Sequence, residues 1–159
     1  FERFLTQAAQ CGIDGVILPD MPFEEYQERY KPLFKSAGVR PVFLVTSRTE
    51  DSRIRAFDAE EPAFLYVLSS DSVTGGTVAV SRSRDAFFKR LAEMDLRSKL
   101  IVGFGVTDRA SFEAVTQHTD GAIIGSAFVK TMSALPALDT TRSDLTKTEL
   151  IENFITGLR

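Results

Sequence analysis

Five short apolar runs punctuate the chain, each bounded by glycine, proline or aspartate: residues 13–18 (IDGVIL), 41–45 (PVFLV), 63–68 (AFLYVL), 99–102 (KLIV) and 121–124 (GAII). They are rich in Val, Ile, Leu and Phe and barely alternate, the pattern of strands buried on both faces, as in parallel sheets. Between them, apolar positions recur at helical spacing. Residues 1–10 bring Phe1, Phe4, Leu5 and Ala8 to one face, with Gly12 as a stop. Residues 22–37 align Phe23, Tyr26, Tyr30, Leu33, Phe34 and Ala37. Pro22 suits a first helical turn, Pro32 should kink or split the segment, and Gly38 ends it.

Further helices follow. Thr49 is predicted to cap one running to about Phe57, with Glu50 and Asp51 favoured at its N-terminus. Residues 84–94 turn Phe87, Phe88, Leu91 and Met94 inward, and Thr107 or Asp108 caps a helix holding Phe112 and Val115. The stretch Thr146-Lys147-Thr148-Glu149 has capping-box spacing ahead of Leu150, Ile151, Phe154, Ile155 and Leu158.

Strict alternation of helix and strand, with no linker or low-complexity segment, implies a single α/β domain over residues 1–159, either doubly wound or a barrel. A complete (β/α)8 barrel needs roughly 250 residues. Five strands of eight are legible here, so a barrel reading makes the chain the C-terminal part of one, with about three strands expected upstream of Phe1. The start at Phe1, inside a helical pattern, reads as a piece of a longer polypeptide.

Composition narrows the function classes. A formal net charge of -3 supplies no basic field, so nucleic acid is not an expected partner. No apolar run is long enough to span a membrane, and the opening residues run straight into a helical pattern, so no secretory leader is expected. The lone cysteine, Cys11, cannot form an internal disulfide, which fits a reducing, cytoplasmic setting; it is expected to be a small core residue. The lone histidine, His118, lies in a polar stretch and reads as a solvated helix end. One His and one Cys leave no metal site of the usual nitrogen and sulfur type to expect.

Candidate chemistry sits where such folds keep it, at the C-terminal ends of the strands. The first run ends in Pro19-Asp20-Met21-Pro22, where Asp20 is either a cap for the following helix or a carboxylate facing a substrate or partner. The third opens into Ser69-Ser70-Asp71-Ser72-Val73-Thr74-Gly75-Gly76-Thr77, a loop whose hydroxyls and glycines suit close approach to a ligand. Tyr66 within that strand is either a lumen-facing ring or a core residue. The fourth run ends in Gly103-Phe104-Gly105 and the fifth in Gly125-Ser126, each feeding a helix N-terminus. Two successive strands ending this way form the usual barrel phosphate site, in which backbone N–H groups hold the dianion and glycine leaves room for it. Ser126 adds a hydroxyl donor.

The segments at residues 12–25 (GIDGVILPDMPFEE), Tyr66 with Ser72-Val73-Thr74-Gly75, Gly103-Phe104-Gly105, and residues 121–127 with Val129-Lys130 resemble the tryptophan synthase alpha chain family, in order and at compatible spacing. Pro19-Asp20-Met21-Pro22 is the most specific of them, because other phosphate-binding barrels share the glycine loops but not that stretch. The resemblance implies retro-aldol cleavage of indole-3-glycerol phosphate to indole and glyceraldehyde 3-phosphate. Such cleavage needs a proton donor at the indole ring carbon and a base at the glycerol hydroxyl.

In the family that acid and base are a glutamate on the second strand and an aspartate just after it, both upstream of Phe1; no catalytic residue is therefore carried over. What is carried over is substrate and phosphate binding at Tyr66, Thr74, Gly75, Phe104, Gly105, Gly125 and Ser126. Asp20 and Pro22 correspond to a region near a beta chain partner, which in the family carries pyridoxal phosphate; no cofactor is expected in this chain. Two departures stand out: Ser72 where the family often has glycine, and Asp71 beside a loop expected to cover a dianion.

Two rival readings stay open at this stage. One is another phosphate-sugar barrel enzyme of aromatic or histidine biosynthesis, although Lys99 and Lys130 are not placed at strand ends to serve such chemistry. The other is a non-catalytic module that binds a phosphorylated ligand or a partner. A five-strand piece would also leave strand edges and barrel-facing apolar groups in water, which predicts self-association or membership of a longer polypeptide.

Overall fold

The computed structural model describes residues 1–68, 78–103, 105–133 and 143–158. Helix α1 (Glu2–Gln10) leads into β1 (Gly15–Ile17), then α2 (Phe23–Glu25), a π turn (Tyr26–Tyr30) and α3 (Lys31–Ala37). There follow β2 (Arg40–Val45), α4 (Asp51–Ala59), β3 (Leu65–Leu68), α5 (Val78–Glu93), β4 (Leu100–Gly103), α6 (Arg109–Thr116), β5 (Gly121–Ala122), α7 (Ser126–Ser133) and α8 (Ser143–Leu158).

All five strands pair in parallel and in sequence order, β1-β2-β3-β4-β5. A doubly wound sheet reverses its strand order partway and carries helices on both faces; a barrel does neither. The register decides between them. Phe43, Leu65 and Leu100 line up across β2–β4, as do Val45, Val67 and Val102, and all six are buried in one cluster with Leu5, Phe34, Ile54, Phe88 and Leu91 from the helices. The alternate positions point the other way: Ile17 beside Val42, Leu44 beside Tyr66 and Ile101, and Leu68 beside Gly103. None of these joins the helix-packed cluster. One face is therefore covered by helices and the other is the inner wall of a partial (β/α)8 barrel.

The segment around Pro32 is a clear case of local chemistry setting local shape. Proline has no N–H to give an i→i−4 bond, and the helix widens to a π turn just before it instead of breaking. Gly38 then closes α3 with φ +69°, a conformation that side-chain-bearing residues avoid. The wide turn keeps Tyr26 in the core, with its ring edge-on to Phe34 and Phe43.

Several expectations are corrected. Thr49 does not cap α4: Glu50 occupies the cap position without a side-chain bond. The Thr49 hydroxyl instead accepts the Thr46 N–H at 3.0 Å, because a tight turn offers it a nearer donor. Asp20 does not cap the following helix either, since Pro22 itself stands at that position. Helix α8 begins at Ser143, so Thr146 lies inside it and the capping-box spacing marks no start. Cys11 is exposed rather than a core residue, because α1 ends there and the chain turns at Gly12. Phe1 and Phe4 share the helix face of Leu5 and Ala8, yet are 46% and 47% exposed, since nothing among the described residues packs beyond β1. Between Thr107 and Asp108, the cap is Asp108, which exchanges hydrogen bonds with Ser111 in a complete capping box. His118 is exposed beyond the end of α6, as the sequence suggests.

Candidate functional site

Two aspartates at the far end of the sheet fix where β4 enters it. Asp58, buried at the end of α4, accepts the backbone N–H groups of Arg97 (3.2 Å) and Ser98 (2.8 Å). Asp120, just before β5, accepts the Leu100 N–H at 2.9 Å and the Lys99 ammonium at 2.7 Å. Burial pushes both carboxyls up, but these hydrogen bonds together outweigh it and hold both below the ordinary carboxylate value. Lys99 is thereby committed to a structural ion pair at the strand start.

With its start fixed, β4 delivers Gly103 to the C-terminal rim. Tyr66, on the inner face of β3, leans along the strand so that its ring and hydroxyl lie over Gly103; a Cβ there would collide with both. The open alternatives for Tyr66 thus resolve in favour of the lumen-facing ring, half-buried and directed at the rim. Beyond it, Gly105 adopts φ +79°, and nothing lies within 4 Å of where its Cβ would be. The chain then turns through a buried Val106 into the Asp108 cap of α6, whose carboxyl the Ser111 N–H and hydroxyl hold below its ordinary value.

On the adjacent strand, Gly125 and Ser126 are exposed at the same rim, and Gly125 likewise has open space around its Cβ position. The first intrahelical bond of α7 runs from the Val129 N–H to the Gly125 carbonyl at 2.9 Å. The N–H groups of Ser126, Ala127 and Phe128 precede that bond and, among the described residues, are left for an acceptor at the rim, where the helix dipole favours an anion. Tyr66, Gly105, Gly125 and Ser126 are therefore carried to one rim by three adjacent strands. Thr74, Gly75 and Phe104, with Asp71 and Ser72, lie outside the described residues.

Asp20 and Pro22 are exposed at the same rim but two to four strands away, after β1. They border a separate recess of about 270 Å³ lined by Phe1, Leu18, Met21, Glu25 and Tyr30. The inner-face residues Leu44, Leu68 and Ile101 form the apolar floor between the strands; they were not singled out from the sequence, although alternation from Tyr66 could have found Leu68. Among the described residues no group of three or more His, Cys, Asp or Glu side chains could hold a metal ion.

A family model described as tryptophan synthase alpha chain matches residues 1–156. The tryptophan synthase alpha chain of Bacteroides thetaiotaomicron is 42% identical over 129 residues, which are 81% of this chain and 50% of that protein. That of Parabacteroides distasonis is 33% identical over all 159 residues and 58% of its own length. Among solved structures, a chain of the tryptophan synthase a2b2 complex from Pyrococcus furiosus superposes with a TM-score of 0.71 at 27% identity, covering 83% of this chain and 53% of that one. The chain spans about half the length of the curated relatives it matches. Parallel strands in barrel order, a glycine-lined rim and a match running from Phe1 to residue 156 agree, and the chain belongs to the tryptophan synthase alpha chain family.

Proposed function

We propose that this chain forms the substrate-holding half of a tryptophan synthase alpha chain, a lyase that cleaves indole-3-glycerol phosphate to indole and glyceraldehyde 3-phosphate. The observation that carries the reading is the convergence of Tyr66, Gly105 and the Gly125-Ser126 start of α7 at one rim. The open N–H groups of α7 and the Ser126 hydroxyl take the phosphate; for Thr74, Gly75 and Phe104 a substrate-binding role rests on the family resemblance alone. The apolar inner wall of Leu68 and Ile101, with the Tyr66 ring, takes the indole.

Cleavage requires an acid at the ring carbon and a base at the hydroxyl. This chain supplies the binding groups, and the two carboxylates of the family's reaction lie outside its 159 residues. Asp20 and Pro22 face a beta chain partner, which holds the pyridoxal phosphate. That partner is supported by the a2b2 assembly of the Pyrococcus furiosus neighbour. The family reading implies a cytoplasmic setting; among the described residues no helix is long and apolar enough to cross a membrane.

Titration of the chain with glycerol 3-phosphate, followed by thermal shift against glycerol as control, tests the binding half of this reading. Stabilisation by the phosphate ester and not by glycerol supports it, and equal responses would refute it. An indole-release assay tests the other half: the chain by itself should be inactive, and release at rates near those of a full-length family member would refute the division of labour.

A further inference from the structure

We propose that Arg48 is a positioning residue for the phosphorylated ligand, drawing the dianion toward the rim across a short gap without touching it; the inference rests on the phosphate reading above. Several carboxylates at the rim oppose an incoming anion. Among the described residues that follow the strand ends, Asp20, Glu25, Glu50 and Asp108 are carboxylates without a cationic side chain in ion-pair reach. Arg53 is tied to Glu24, and Arg90 sits 3.6 Å from Asp51. Arg48 is exposed and, among the described residues, has no carboxylate within ion-pair distance.

The turn that presents it is built. The Thr49 N–H donates to the Thr46 carbonyl at 3.0 Å, and the Thr46 N–H donates to the Thr49 hydroxyl at 3.0 Å. The Arg48 N–H itself donates to the Thr46 hydroxyl at 3.2 Å. From behind, the Arg90 guanidinium on α5 donates to the Thr49 carbonyl at 3.1 Å. Four hydrogen bonds thus hold a four-residue turn whose single charged side chain is Arg48.

Position follows from the strand order. Residue 48 comes just after β2, and the proposed phosphate site, at the ends of β4 and β5, is two to three strands along, about 10–14 Å away at the usual spacing. Across about 10–14 Å of water, a unit charge favours a dianion by roughly three- to fourfold in affinity before screening. Salt with a Debye length of about 8 Å removes most of that at physiological ionic strength. The effect expected of Arg48 is therefore modest, electrostatic and salt-dependent.

The experiment is titration with glycerol 3-phosphate of the wild-type chain, R48Q, R48E and R48K, at low ionic strength and at 0.5 M salt, with Lys35→Gln on the opposite end of the sheet as control. R48Q should weaken binding about threefold at low ionic strength, and R48E by about the square of that factor. R48K should bind like wild type, and the differences should collapse in 0.5 M salt. Loss that persists in high salt, or that Lys does not rescue, would mean a structural role and overturn the inference. So would an R48Q affinity equal to wild type at low ionic strength while wild type binds. Absence of phosphate binding by the wild-type chain would overturn the site reading, and the inference with it.

Discussion

The Tyr66 ring occupies the space that a Cβ on Gly103 would need. The two residues sit on neighbouring parallel strands, and Gly103 pairs in register with Leu68, so Tyr66 reaches it only by leaning two positions toward the rim. Gly103 is therefore required by a side chain on another strand, and its neighbours at the rim by the ligand they are proposed to admit.

Replacing Gly103 with alanine should displace Tyr66. Both the ring and the hydroxyl meet the new methyl, so trimming the hydroxyl alone does not relieve the conflict. Overpacking of this kind costs about 1–3 kcal/mol. The G103A/Y66A double variant should be less destabilised than the sum of the single variants, by about 1 kcal/mol or more. Additive losses in urea denaturation would show that the two side chains do not compete.

Asp58 and Asp120 make stability fall in acid. Their carboxyls are held below the ordinary value of 3.8 in the folded chain, so the unfolded chain binds protons first as pH drops. The stabilisation is complete above that ordinary value and is lost as pH falls through the lowered folded values. D58N should cost about 2 kcal/mol at neutral pH, since an amide cannot accept both N–H groups. It should also flatten the acid limb, which a series of urea melts from pH 6 down to pH 3 would reveal. An acid limb as steep as wild type would assign the acid sensitivity elsewhere.

Much of this arrangement is legible in the sequence, and the misses share a cause. The strand runs, the alternation and the glycine-ended strands follow from composition along a single segment. Pro32 announces an irregularity, although not that a π turn would absorb it. The errors fall on residues whose partners are several positions or several strands away. Thr49 looks like a cap until Thr46 offers a nearer donor. Cys11 looks buried until α1 ends there and the chain turns away at Gly12. The Asp58 clamp on Arg97 and Ser98 spans nearly 40 residues, and no local pattern predicts it.

The Thr46–Thr49 turn gives a check on that lesson. T49V keeps the shape and removes the hydroxyl that accepts the Thr46 N–H at 3.0 Å and meets the Thr46 hydroxyl at 3.2 Å. A loss of about 1–2 kcal/mol is expected. A lost N-cap could cost as much, so helix content separates the two roles: far-UV circular dichroism should be unchanged, because Glu50 and not Thr49 stands at the α4 cap.

The exposed large apolar side chains lie toward the two ends of the sheet order: Phe1, Phe4, Ile13 and Ile17 at the β1 end, and Ile123, Val129 and Ile155 at the β5 end. Among the described residues the middle strands contribute none of them, which is what two open flanks of a partial barrel look like. The isolated 159-residue chain should therefore self-associate, with average mass rising with concentration in light scattering. Ile17→Asp and Ile123→Asp should each reduce that association. A monodisperse monomer at high concentration would show that the flanks are tolerated in water.

Gly125→Val bears on the site most directly. Gly125 has open space where its Cβ would be, and its backbone shows no positive φ, so valine should fold there with little loss of stability. The branched side chain would nonetheless stand at the mouth of α7, between an incoming phosphate and the N–H groups proposed to hold it. Thermal midpoint without ligand should change by no more than a few degrees, while the shift induced by glycerol 3-phosphate should vanish. That combination separates a blocked site from a damaged fold. A retained ligand shift would move the phosphate elsewhere on the rim.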